Sequence, residues 1–229
     1  MLLVTLLTVF SYIAAFRLLL HVFGKQHVLF CFNICSFVIN FYLSLVAIYI
    51  TYHFKEPQLF LEEYSVTEYE RFVIWSFNTI GPSITAYSLF TMYGTIFWGT
   101  DKTIDAIIHH VFFVIICSCC LYYRIHVTLS IIAVCMEIST PALIVMTTTR
   151  RNKKYLVVNK ISSFVFATLF FLFRIIFFTY YLFYHMYFFG LYLKYDWLIQ
   201  MIHMIYFFVW CLQIYWFKFI IAKCKRLIK

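Results

Sequence analysis

Apolar residues run through this chain in long uninterrupted stretches, and polar residues gather in short segments between them. A membrane-crossing helix needs ~20 mostly apolar residues. About seven stretches qualify: 2–23, 28–53, 72–97, 105–123, 125–148, 157–183 and 197–221. The pattern predicts an all-α integral membrane protein with about seven transmembrane helices. The first stretch lacks a basic start and a small-residue cleavage site, so it reads as a span and not as a cleaved signal. Pro82 interrupts the third span and Pro141 the fifth, and each predicts a local break in helical hydrogen bonding. Residues 54–71, acidic and aromatic, form the longest polar connection and read as a short interfacial helix.

Composition removes the soluble alternatives. The chain is 65% hydrophobic and 12% charged, against about half and a quarter in a soluble domain. With 5 Gly and 3 Pro, it has no linker-like stretch, so residues 1–229 read as a single transmembrane domain. The net charge of +9 is no sign of nucleic-acid binding, because the cations flank apolar runs. Seven spans place Lys25, Lys102, the 150–160 cluster and the basic tail on one side. By the positive-inside bias that side is cytoplasmic, with the C-terminus there and the N-terminus lumenal or outside. Those cations also suit anionic headgroups. The eight cysteines lack zinc-ligand spacing, and all but Cys224 sit inside apolar runs as packing residues. No metal site is expected.

The candidate chemistry lies in the apolar hairpin from Asp105 to Pro141. Charged and imidazole groups are costly in hydrocarbon and are functional candidates for that reason. His109 and His110 stand near one end, and Glu137, Ser139 and Thr140 follow on the returning limb. With the hairpin turn near Tyr123-Arg124-Ile125, His110 and Glu137 each lie roughly 20 Å from it, so a His–Glu contact is geometrically plausible. Neighbouring helical residues point ~100° apart, so only one histidine faces a given site. A buried imidazole with a carboxylate serves either as base or nucleophile, or as a packing hydrogen bond. Arg174, deep in the sixth span, is a candidate partner for a carboxylate or a lipid headgroup. Gln213 reads as an interhelical hydrogen-bond residue.

The His109-His110 pair, its interval to Glu137, and the run Glu137-Ile138-Ser139-Thr140-Pro141 resemble the TLC domain. Ceramide synthases, translocating-chain-associating membrane proteins and smaller TLC-domain lipid proteins share it. Phe170-Phe171-Leu172-Phe173-Arg174 and Leu212-Gln213-Ile214-Tyr215-Trp216-Phe217-Lys218 are similar to the smaller members. The resemblance is clearest over 100–225, within a core of about 28–225. Ceramide synthases carry two Asp after their His pair; Glu137 and Thr140 stand at those positions here. The resemblance implies that six spans, the second to the seventh, form a bundle around a lipid-accessible cavity in the endoplasmic reticulum or another endomembrane.

Three functions are consistent with these features. The leading one is a lipid-handling protein that binds a lipid or acyl chain and influences membrane lipid composition, and the resemblance implies sphingolipid homeostasis. His110, Glu137, Ser139, Thr140 and Arg174 would meet the polar end. The second is an acyltransferase using acyl-CoA as substrate, without a further cofactor, through His109 or His110 and Glu137. The third is a structural subunit of a membrane assembly. The expected partner is a membrane lipid within the bilayer, and no nucleic acid.

Overall fold

The computed structural model describes residues 2–53, 68–99, 103–123, 134–150, 152–190 and 197–228. Helix is the regular structure throughout these residues. The apolar runs become α1 (Leu2–Phe23), α2 (Val28–His53), α3 (Glu68–Trp98) and α4 (Ile104–Tyr123). Then follow α5 (Thr140–Thr149), α6 (Leu156–Leu169), α7 (Phe178–Gly190) and α8 (Trp197–Ile228). Four stretches are long and apolar enough to cross a membrane: Leu3–Phe23, Lys25–Tyr49, Lys153–Tyr184 and Gln200–Cys224. Large apolar side chains on α1 point outward, among them Leu3, Leu7, Phe10 and Leu18. Such a face suits hydrocarbon, and the chain is an all-α integral membrane protein.

By their internal contacts the residues group into two compact units, Met1–Cys135 and Met136–Lys229. In the first, α3 packs against α1, α2 and α4. Gly24, at φ 85°, makes the reversal between α1 and α2 in a conformation open to glycine. Phe16 on α1 is fully buried and meets Phe32, Phe90 and Trp98 edge-on, while Phe32 stacks on Phe90 with centroids 5.0 Å apart. Gly94 lets α3 approach that cluster, because a Cβ there would collide with the Phe32 ring. The α3 helix continues across Pro82, and the Thr85 hydroxyl donates to the Gly81 carbonyl at 2.8 Å.

The second unit departs from the expected spans in two places. In the described part of the fifth span, helix at Val134 and Cys135 tightens into a 3-10 turn, Met136–Ser139, and returns to α-helix in α5. Pro141 lies in the first turn of α5, where a missing backbone N–H leaves no broken bond. The sixth span is continuous in helix but changes register. Between α6 and α7 the segment Phe170–Phe177 is π-helical, with wider turns than an α-helix. The short turn at Arg124-Ile125 and the 54–67 part of the long polar connection lie outside the described residues.

The core of this unit is Met146, Phe166 and Phe170, packed by Leu143, Trp216 and Phe217. Asn159 on α6 donates from Nδ2 to the Met146 carbonyl and to Thr149 Oγ1, tying α5 to α6. On α8 the residues Ile202, Tyr206, Val209 and Gln213 are buried. Their 4-3-4 spacing is that of one helix face turned inward. Gln213 is the amide in an otherwise apolar and aromatic row.

Candidate functional site

Arg174 lies within the π-helical segment and is 6% exposed. A guanidinium has five N–H donors and cannot be deprotonated, so at this depth it needs acceptors. The 3-10 turn supplies them. Nε donates to the Met136 carbonyl and to Ser139 Oγ, both at 2.9 Å. Nη2 donates to Thr140 Oγ1 at 2.8 Å and lies 3.8 Å from Glu137 Oε2. From α8, Gln213 Oε1 accepts from Nη1 at 3.3 Å. The Phe170 ring, one turn earlier, lies 5.2 Å from the guanidinium carbon. Three segments of chain thus converge on one cation.

The carboxylate is connected to that cation through a hydroxyl. At 3.8 Å the direct Arg174–Glu137 approach is too long for a hydrogen bond. Thr140 closes the gap: its Oγ1 accepts from Nη2 and donates to Glu137 Oε2 at 2.6 Å. Ser139 acts in parallel, donating to the Met136 carbonyl at 3.1 Å while accepting from Nε. Glu137, Ser139 and Thr140 are all buried, and with Arg174 ionised and Glu137 ionised the cluster is neutral. The 3-10 turn places Glu137, Ser139 and Thr140 around Arg174.

Gln213 completes the cluster and leaves one donor over. Its side chain is fully buried, and Nε2 has no hydrogen-bond partner among the described residues. Reversing the amide would set two donors against each other at Arg174, so Oε1 is correctly the atom facing the guanidinium.

The histidines belong to the first unit. His109 is buried, and its ring lies 4.6 Å from that of Phe113 one turn on. His110 turns to α3, where Nδ1 is 3.1 Å from Thr91 Oγ1. The two rings face different neighbours, as ~100° per residue requires. The Thr91 hydroxyl also donates to the Ser88 carbonyl at 2.8 Å. The Thr91 hydroxyl also reaches the Tyr87 carbonyl at 3.2 Å, and the direction of the Thr91–His110 hydrogen bond follows the imidazole tautomer.

Four of the residues singled out from sequence, Glu137, Ser139, Thr140 and Arg174, therefore meet in one site. Glu137, read as the partner of an imidazole, is engaged by Thr140 and Arg174. Thr91 was not foreseen, since a lone Thr in an apolar run gives no signal. Gln213 was foreseen as a hydrogen-bonding residue without its partner. Its place in the buried row of α8 was the available clue.

A family model described as the TLC domain matches residues 22–222. No curated protein and no solved structure matches the chain. The family match begins at the end of α1 and takes in the rest of the first unit and most of the second, including α4 with its histidine pair and the Arg174 cluster. The chain belongs to the TLC-domain family.

Proposed function

We propose that this is a lipid-handling membrane protein in which the Arg174 cluster receives the polar end of a lipid or acyl chain and so influences membrane lipid composition. The observation that carries the reading is Gln213 Nε2, a fully buried donor without a partner among the described residues, beside the Arg174–Glu137 pair. A buried donor left unpaired costs about 1–3 kcal/mol, which a lipid oxygen would recover. Because Glu137 already balances Arg174, the site favours an uncharged carbonyl or hydroxyl over a second anion. The basic loop and tail support a cytoplasmic C-terminus and a lumenal N-terminus, in endoplasmic reticulum or another endomembrane.

Lipid extraction from purified protein tests this. Wild type should retain a defined lipid class through delipidation, and Gln213→Leu and Glu137→Gln should lose or exchange it. A retained set that merely mirrors the bulk membrane, unchanged in both variants, would sink the reading.

One observation favours a second reading, acyl transfer from acyl-CoA. His110 Nδ1 lies within hydrogen-bond reach of Thr91 Oγ1, and where Nδ1 is the donor the lone pair is on Nε2, the state a general base needs. Histidine-dependent CoA release in the presence of a long-chain amine would replace the first reading with this one. Its absence across several chain lengths would discard it.

A further inference from the structure

Away from the Arg174 cluster, the second unit gathers cations where its helices end. Lys223, in the last turns of α8, turns Nζ onto the Met146 thioether at 3.4 Å. Sulfur is a weak acceptor for an ammonium group. Met146 on α5 and Arg150 at its C-terminal cap are four residues apart, and such residues stack on one helix face with Cβ atoms about 5–6 Å apart. Arg150 follows the last residue of α5 in helical conformation, so the stacking holds to that point. Lys223 therefore stands beside Arg150, and the charge of Arg150 acts on it directly. Lys153 and Lys154 follow in the exposed turn that starts α6.

Among the described residues of the unit, nothing acidic balances these charges. Among its described residues Glu137 is the one carboxylate, and it is held by Thr140 and Arg174. Two cations brought together from α5 and α8 without a counter-charge repel each other. An outside anion between them would reverse that sign. Lys223 lies at the end of the apolar stretch Gln200–Cys224 and Arg150 just after α5, and cations at such ends attract anionic headgroups.

We propose that Arg150 and Lys223 form a phosphate-binding site at the helix ends of the second unit, separate from the Arg174 cluster and independent of what that cluster binds. Arg150 offers its planar fork and Lys223 a point charge, the complementary pair that phosphate oxygens accept. The phosphate can come from an anionic membrane lipid or from a soluble carrier such as coenzyme A.

Native mass spectrometry of the full chain in neutral detergent distinguishes the cases, with phosphatidylserine, phosphatidylcholine and coenzyme A titrated separately. Arg150→Gln and Lys223→Gln should each weaken phosphate binding about fivefold, as near-surface cations do. Lys218→Gln should leave it unchanged, because Lys218 is exposed and points about 140° away from Lys223 on α8. Phosphatidylserine adducts with this dependence would assign the site to an anionic lipid. Coenzyme A adducts with the same dependence, and no lipid preference, would support the site with a soluble source. Equal losses in all three variants, or equal binding of phosphatidylcholine, would overturn it. Arg150 is exposed, so Arg150→Gln keeps the test decisive where Lys223→Gln yields no folded protein.

Discussion

Thr140 sits between two charges, and its hydroxyl serves both. Thr140→Val keeps the shape and removes the bridge. It should cost about 1–3 kcal/mol, because guanidinium and carboxylate each lose a partner where water cannot replace it. Arg174→Met should cost more, about 3–5 kcal/mol, by stranding Glu137. Adding Glu137→Met to it should recover much of that loss, since a buried ion pair adds little over well-packed apolar side chains. Denaturant unfolding in detergent measures all three. If the double variant is no more stable than Arg174→Met, the pair is not coupled as described. For the histidines, Thr91→Val should redistribute the His110 proton between Nδ1 and Nε2, which 15N imidazole shifts read directly; unchanged shifts would remove Thr91 as the positioning residue. The residues of the Arg174 cluster were legible as costly polar groups in apolar runs. Their assembly was not, because Arg174 stands 34 residues from Thr140 and 39 from Gln213, and periodicity says nothing about helix rotation at that range.

Helix positions were legible almost to their ends, because a run long enough to cross hydrocarbon has few other ways to satisfy its backbone. The exceptions share a cause. The 3-10 turn at Met136–Ser139 and the π-helical Phe170–Phe177 are changes of hydrogen-bond register, and hydropathy does not report register. Pro141 did mark a break, but as the first turn of a new helix. Pro141→Ala should therefore shift stability by less than about 1 kcal/mol, where a mid-helix proline would give a gain near 3 kcal/mol on replacement. Thermal melts decide between those values. The close approach of α2 and α3 makes the opposite prediction. Gly94→Ala should destabilise the first unit by about 1–3 kcal/mol by pushing into Phe32, and Phe32→Leu in the same chain should relieve part of the cost. Additive losses in the double variant would show that the two side chains do not meet.

At the scale of the whole molecule, charge and apolar surface divide the chain. The helices expose large apolar side chains along their length, while Lys153, Lys154, Lys223 and their neighbours lie at helix ends. That division was legible from composition and loop charge. The separation into Met1–Cys135 and Met136–Lys229 was not, since no Gly-, Pro- or Ser-rich linker marks it and the boundary falls in an apolar run. It puts the histidine pair in one unit and the guanidinium cluster in the other. Thr91→Val should change histidine-dependent CoA release and Gln213→Leu lipid retention; measuring both readouts in each variant tests whether the two groups act together.

The hydroxyl-bridged pairing of Arg174 with Glu137 also decides how the protein meets a membrane voltage. A potential does work on net charge, about 2.3 kcal/mol for one charge carried through 100 mV. Opposite charges 3.8 Å apart, moving together, carry almost none. Movement of this cluster by itself is therefore electrically silent, and Glu137→Gln would give the same movement a gating charge.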